Sequence, residues 1–160
     1  MLRDGAPTER EAPRAHVIEA LDAFQAAERA GGDAMARWIA VCRQPRLRGG
    51  LRVIRARDLQ HAALAEARLR ALGGAPAARI SRELAGLCGV IGHPEISDRS
   101  KLAMLLGRFP AQAPSPLADL ARRLGGDAET QALLETINDD EVVALEWLRE
   151  MSRVLEREDG

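Results

Sequence analysis

The chain has 160 residues, 46% of them apolar and only 2% aromatic, with no tyrosine and a formal net charge of -1. That length suits one domain with a sizeable core, and the near-neutral charge excludes a global field drawing the chain to nucleic acid or anionic lipid. A core short of aromatics is filled by Leu, Ala, Ile and Val; with Leu and Ala dominant, helices are favoured over strands.

Residues 1–14 combine Asp4, Gly5, Pro7 and Pro13 with charges and lack periodicity, so a flexible tail is expected ahead of one helical domain over 15–157. A first helix is predicted from Ala15 to Cys42. Its stripe reads Val17, Leu21, Phe24, Glu28, Met35, Trp38, Cys42, in the steps of three, four or seven that one helical face requires. Gly31-Gly32 costs roughly 2 kcal/mol there relative to alanine, which leaves a kink or a break open. Gln44-Pro45 ends the segment, and Gly49-Gly50 is assigned to the connection.

A second helix is expected from Leu51 to Leu72, with Leu51, Ile54, Asp58, His61, Ala65, Leu69 and Leu72 on one face. Gly73-Gly74 and Pro76 stop it. A third covers Ala78 to Ile91, with Ile80, Leu84, Leu87 and Ile91 inward, and Gly92-His93-Pro94 ends it. Ser97 can cap a further helix whose apolar residues are Leu102, Leu105, Leu106 and Phe109. Pro110, Pro114 and Pro116 mark a loop, and Pro116 opens a short helix ending at Gly125-Gly126. Asp127 then caps the last helix, to about Leu155, with the stripe Leu134, Ile137, Glu141, Ala144, Leu148, Met151, Leu155. No segment alternates with period two. The expected architecture is all-α, an antiparallel bundle of four main helices with the third fragmented.

Three of these stripes are each interrupted once by an acid: Glu28, Asp58 and Glu141. Buried carboxylates are costly unless paired, protonated or bound to metal. His61 follows Asp58 by three residues, so both sit on one helix face and can bind the same ion. Oxygen-rich sites with few imidazoles suit iron or manganese.

The run Ala27-Glu28 to Trp38-Ile39, then Arg57-Asp58 with His61-Ala62, then Arg68-Leu69 with Leu72-Gly73-Gly74, resembles the first helical pair of ferritin-like and rubrerythrin-like proteins. Glu129-Thr130, Leu134, Ile137, Asp140-Glu141 and Trp147-Leu148 are similar to their last helix. The resemblance implies a ferritin-like four-helix bundle. It also implies a site built from a Glu on each of two helices and a Glu-x-x-His on each of the other two. Glu28 matches the first-helix Glu, Asp58 stands at the second-helix Glu position, and His61 matches its His. Glu141 matches the last-helix Glu, but Ala144 replaces its His. Glu83 is the nearest candidate for the third-helix Glu, and Glu95 lies in a turn. The set implied is incomplete, so a partial or lost metal centre is expected, not a competent di-iron oxidase. Two alternatives stand beside it: an iron- or manganese-binding oxidoreductase, and a metal-free interaction module in which Arg37, Arg55 or Arg57 neutralises the acids.

Other features are read more plainly. Cys42 and Cys88 are far apart and are expected as buried free thiols. Six arginines lie between Arg43 and Arg57, yet no aromatic is there to stack on bases; a solvated face is favoured over an RNA contact through Arg48 and Arg52. His16 and His93 have no triad or metal spacing around them. Trp147, Met151 and Leu155 could extend into a homodimer contact. There is no membrane-length apolar run and no signal core, so a cytoplasmic protein is expected. No substrate or nucleotide fingerprint is legible.

Overall fold

A computed structural model describes residues 13–111, 115–124 and 127–158. Most of the expected tail, Pro114 and the Gly125-Gly126 stop lie outside the described residues. These residues form six helices and no strand: α1 (Arg14–Val41), α2 (Pro45–Ala71), α3 (Arg82–Gly92), α4 (Asp98–Arg108), α5 (Pro116–Arg122) and α6 (Ala128–Glu158). Among them no helix is long and apolar enough to cross a membrane.

α1 and α2 form the most extensive helix pair. They run antiparallel: Arg14 Nε donates to Leu72 O at 3.0 Å, Arg29 ion-pairs with Glu66, and Arg55 Nε donates to Gly32 O at 3.1 Å. α1 is continuous through Gly31-Gly32. Packing outweighs the glycine cost there, because the Leu59 side chain lies where a Cβ on Gly32 would point.

α2 starts at Pro45, six residues before the expected Leu51, so Gly49-Gly50 belongs to its opening turns and not to the connection. Proline at the first helical position loses no hydrogen bond. Gly50 is needed because Trp147 of α6 presses on it: a Cβ there would run into the indole ring. The other end of α2 closes as expected, with Gly73 at φ +85°, a conformation that favours glycine.

α3, by contrast, begins later than expected. Residues 78–81 are not helical because Asp22 on α1 accepts the backbone N–H groups of Ala77 and Ala78, at 2.9–3.2 Å. Ser81 then caps α3 by accepting from Leu84 N at 3.1 Å. α3 packs on α1 and α4 packs on α6. α5 also packs on α6, which runs antiparallel to α2: Arg68 meets Asp127 near its start, and Gly50 meets Trp147 further along.

Apolar packing collects in two clusters at opposite ends of α1, α2 and α6. One holds Trp38, Leu47, Leu51, Leu102, Leu148 and Met151; the other holds Val17, Leu21, Leu69, Leu120 and Leu134. Met151 and Leu155 are buried in the first cluster, and Trp147, partly buried, packs against it. Cys42 and Cys88 are free and buried, as expected.

Candidate metal centre

Between the two clusters, α1, α2 and α6 each turn a polar residue inward at the same level. Glu28 comes from α1, Asp58 and His61 from α2, and Glu141 from α6; one ligand atom from each lies within 4.8 Å of all the others. The i, i+3 spacing brings Asp58 and His61 together, and antiparallel packing brings the three helices to one point.

His61 is the hub, with a side chain only 5% exposed. Its Nδ1 faces Glu141 Oε1 at 3.4 Å and Glu28 Oε2 at 3.9 Å. Neither contact is a formed hydrogen bond: His61 Nδ1 and Glu28 Oε2 are both buried without a partner. On the other side of the ring, Nε2 lies 3.0 Å from Asp140 Oδ2, and Asp140 Oδ1 ion-pairs with Arg57. The centre is more open toward α6, where Glu141 is 34% and Asp140 41% exposed, than toward α1, where Glu28 is 16% exposed.

Crowded acids with little water hold protons. Burial pushes the Glu28 carboxyl up to about 9, with Glu141 and Asp58 adding repulsion. Asp58 rises to about 7, again through burial and then Glu141, with His61 and Arg57 opposing. His61 is raised, chiefly by the Glu141 carboxylate facing it and against the effect of burial. Asp140 lies below the usual carboxylate range because of its hydrogen bond to His61 and its pair with Arg57.

Glu28, Asp58, His61 and Glu141 are therefore brought together, and Glu83 is not. The late start of α3 leaves Glu83 in that helix's first turn, on the surface, 3.4 Å from Arg108. An acid is favourable there beside the helix dipole. Glu95 is exposed in the turn after α3, and Ala144 belongs to the apolar cluster above the site. The arginines expected to neutralise the acids are largely engaged elsewhere. Arg37 reaches the Cys88 carbonyl, Arg55 the Gly32 carbonyl, and Arg57 pairs with Asp140. Arg48 is likewise tied to the Cys42 carbonyl.

Asp140 figures in the sequence only as part of the last-helix resemblance; its place against His61 is what sequence reasoning missed. Asp140 adjoins Glu141 but lies off the apolar stripe, so nothing in the periodicity marks it.

The cluster can hold a metal ion. Its donors are three carboxylates and one imidazole, and two buried donor atoms have no protein partner. No family model, curated protein or solved structure matches this chain.

Proposed function

We propose that this chain is a divergent ferritin-like helical protein that binds one metal ion, iron or manganese, between α1, α2 and α6. Glu28, Asp58, His61 and Glu141 are its ligands. The observation that carries this reading is the meeting of three carboxylates and an imidazole within 4.8 Å, with Glu28 Oε2 and His61 Nδ1 left unsatisfied at its centre. Burial and mutual repulsion keep protons on Glu28 and Asp58, and a bound cation would take the place of those protons.

The centre is reduced relative to a two-ion site. Ala144 supplies no second imidazole, and Glu83 is too far round the fold to supply a fourth carboxylate. This favours a one-ion protein over a di-iron oxidase. Three carboxylates and one nitrogen form a hard donor set, which suits iron(II) or manganese(II) better than soft ions. When bound, such an ion supplies Lewis acidity or one-electron chemistry. The chain's own residues hold it: Glu28 closes the buried side, Asp58 and His61 fix it to α2, and Glu141 stands at the more open side.

Elemental analysis of protein reconstituted anaerobically with iron(II) or manganese(II), then desalted, tests the reading. About one equivalent per chain is expected, with most of it lost in His61→Ala. No retained metal in the wild-type protein would overturn the proposal. Two equivalents would restore the di-iron alternative.

A further inference from the structure

We propose that Asp140 is a positioning residue: held by Arg57, it fixes the hydrogen of His61 on Nε2 and leaves Nδ1 as the atom offered to the ion. This rests on the metal-binding reading above and assigns a task to a residue outside its ligand set.

An imidazole has two nitrogens, and in the neutral ring only one carries hydrogen. Here their surroundings differ. Nε2 lies 3.0 Å from Asp140 Oδ2, while Nδ1 points among Glu28, Asp58 and Glu141 with no hydrogen-bond partner. Asp140 Oδ1 is occupied by the Arg57 guanidinium, so the side chain is a carboxylate and can only accept. Acceptors face both nitrogens, but the contact at Nε2, 3.0 Å, is a hydrogen bond and the nearest at Nδ1, 3.4 Å, is not, so in the neutral ring the hydrogen is favoured on Nε2. The lone pair then belongs to Nδ1 and is directed at the cluster.

The connections are economical in sequence. Arg57 precedes the ligand Asp58 on α2, and Asp140 precedes the ligand Glu141 on α6. The same two helical turns that carry ligands therefore carry the clasp that orients the imidazole. The Arg57–Asp140 pair also ties α2 to α6 at the level of the site, where these helices pack less closely than α2 does on α1. Hydrogen-bond partners of ligating imidazoles set ring orientation and tautomer, and losing one costs about 10- to 100-fold in metal affinity.

Asp140→Asn separates this role from a general loss of structure. The amide keeps the shape but can donate to Nε2, which moves the ring hydrogen to Nδ1 and blocks the ligand atom. Two readouts apply to the full chain. Nitrogen NMR of the metal-free protein, at a pH where His61 is neutral, should show the Nε2–H tautomer in the wild type and a shift toward Nδ1–H in Asp140→Asn. Titration with cobalt(II), followed by its visible spectrum, should show about 10- to 100-fold weaker binding in Asp140→Asn, and Asp140→Glu should recover part of it. Circular dichroism checks that each variant is folded. An Asp140→Asn protein that keeps the Nε2–H tautomer, or binds cobalt(II) within threefold of wild type, overturns the inference. If the wild type itself binds no cobalt(II), the metal reading falls, and the tautomer still decides whether Asp140 controls the ring.

Discussion

At the corner where α1 meets α4, Asp98 gathers opposite partners; between α1, α2 and α6, three carboxylates face one another. Asp98 accepts from Trp38 Nε1 at 2.7 Å and from Arg43 N at 3.0 Å, and the Cys42 thiol lies 3.6 Å away. Lys101, fully buried, sits beside it over the Trp38 ring, 5.7 Å from its centroid. Its amine lacks a hydrogen-bond partner, but both the ring face and the Asp98 carboxylate favour its charge. Burial lowers the Lys101 pKa while Asp98 opposes that shift. In the middle layer the balance is reversed, since Glu28 and Asp58 are each raised by burial and by their acidic neighbours. A polar group that only holds the fold together is surrounded by its complement. A polar group surrounded by its own kind keeps a proton or, in the function proposed above, receives a cation.

The comparison can be broken most forcefully at the corner. Trp38 is fully buried and central to the larger apolar cluster, so Trp38→Ala should cost about 3–5 kcal/mol in urea unfolding. A cost below about 1 kcal/mol would mean that the corner does not anchor the fold. Asp98→Ala leaves the Trp38 and Arg43 donors without their acceptor and should cost about 1–3 kcal/mol. The acids of the middle layer should behave in the opposite sense. Glu28→Gln removes a charge that the metal-free fold disfavours, so it should leave the metal-free protein as stable as wild type or more so.

The pH dependence sharpens this contrast. In the folded protein Glu28 titrates near 9, against an ordinary value of 4.5, so between those values the native state holds a proton that the unfolded chain has released. That contribution is complete below about pH 4.5 and is lost as pH rises through about 9. Asp58 acts in the same direction between 3.8 and about 7. In urea unfolding of metal-free protein, the stability lead of Glu28→Gln over wild type should widen from pH 5 to pH 9. A lead that is constant or shrinks would contradict the buried-acid cluster.

The smallest effect is expected at the surface. Glu66→Gln removes the partner of Arg29 and Arg70, two side chains at least half exposed, and should leave the urea unfolding midpoint close to that of wild type.

The convergence of Glu28, Asp58, His61 and Glu141 was legible in the chain because each occupies a position where a helical stripe calls for an apolar side chain. Periodicity reports which face of a helix turns inward, and inward faces must meet. It does not report neighbours just off the stripe, so Asp140, named beside Glu141, gave no sign of its contact with His61 until α2 and α6 were packed together. Glu83 failed for a related reason: its face depends on where α3 begins, and that is set by Asp22, sixty-one residues earlier, taking the Ala77 and Ala78 amides. Gly49-Gly50 read as a break because glycine disfavours helix, whereas the contact requiring Gly50 comes from Trp147 at the far end of the sequence. Lys101 carried one signal, as the only lysine among arginines, but its burial against the face of Trp38 is a tertiary fact.

Thermal unfolding of chelator-treated protein, with and without manganese(II), tests most directly whether the middle layer awaits a cation. A ligand bound only by the native state stabilises it by about 2.7 kcal/mol at 100 times its Kd. We expect manganese(II) to raise the Tm of the wild type by several degrees and to leave His61→Ala unmoved. An unchanged wild-type Tm at millimolar manganese(II), or an equal rise in both proteins, would contradict a metal centre at Glu28, Asp58, His61 and Glu141.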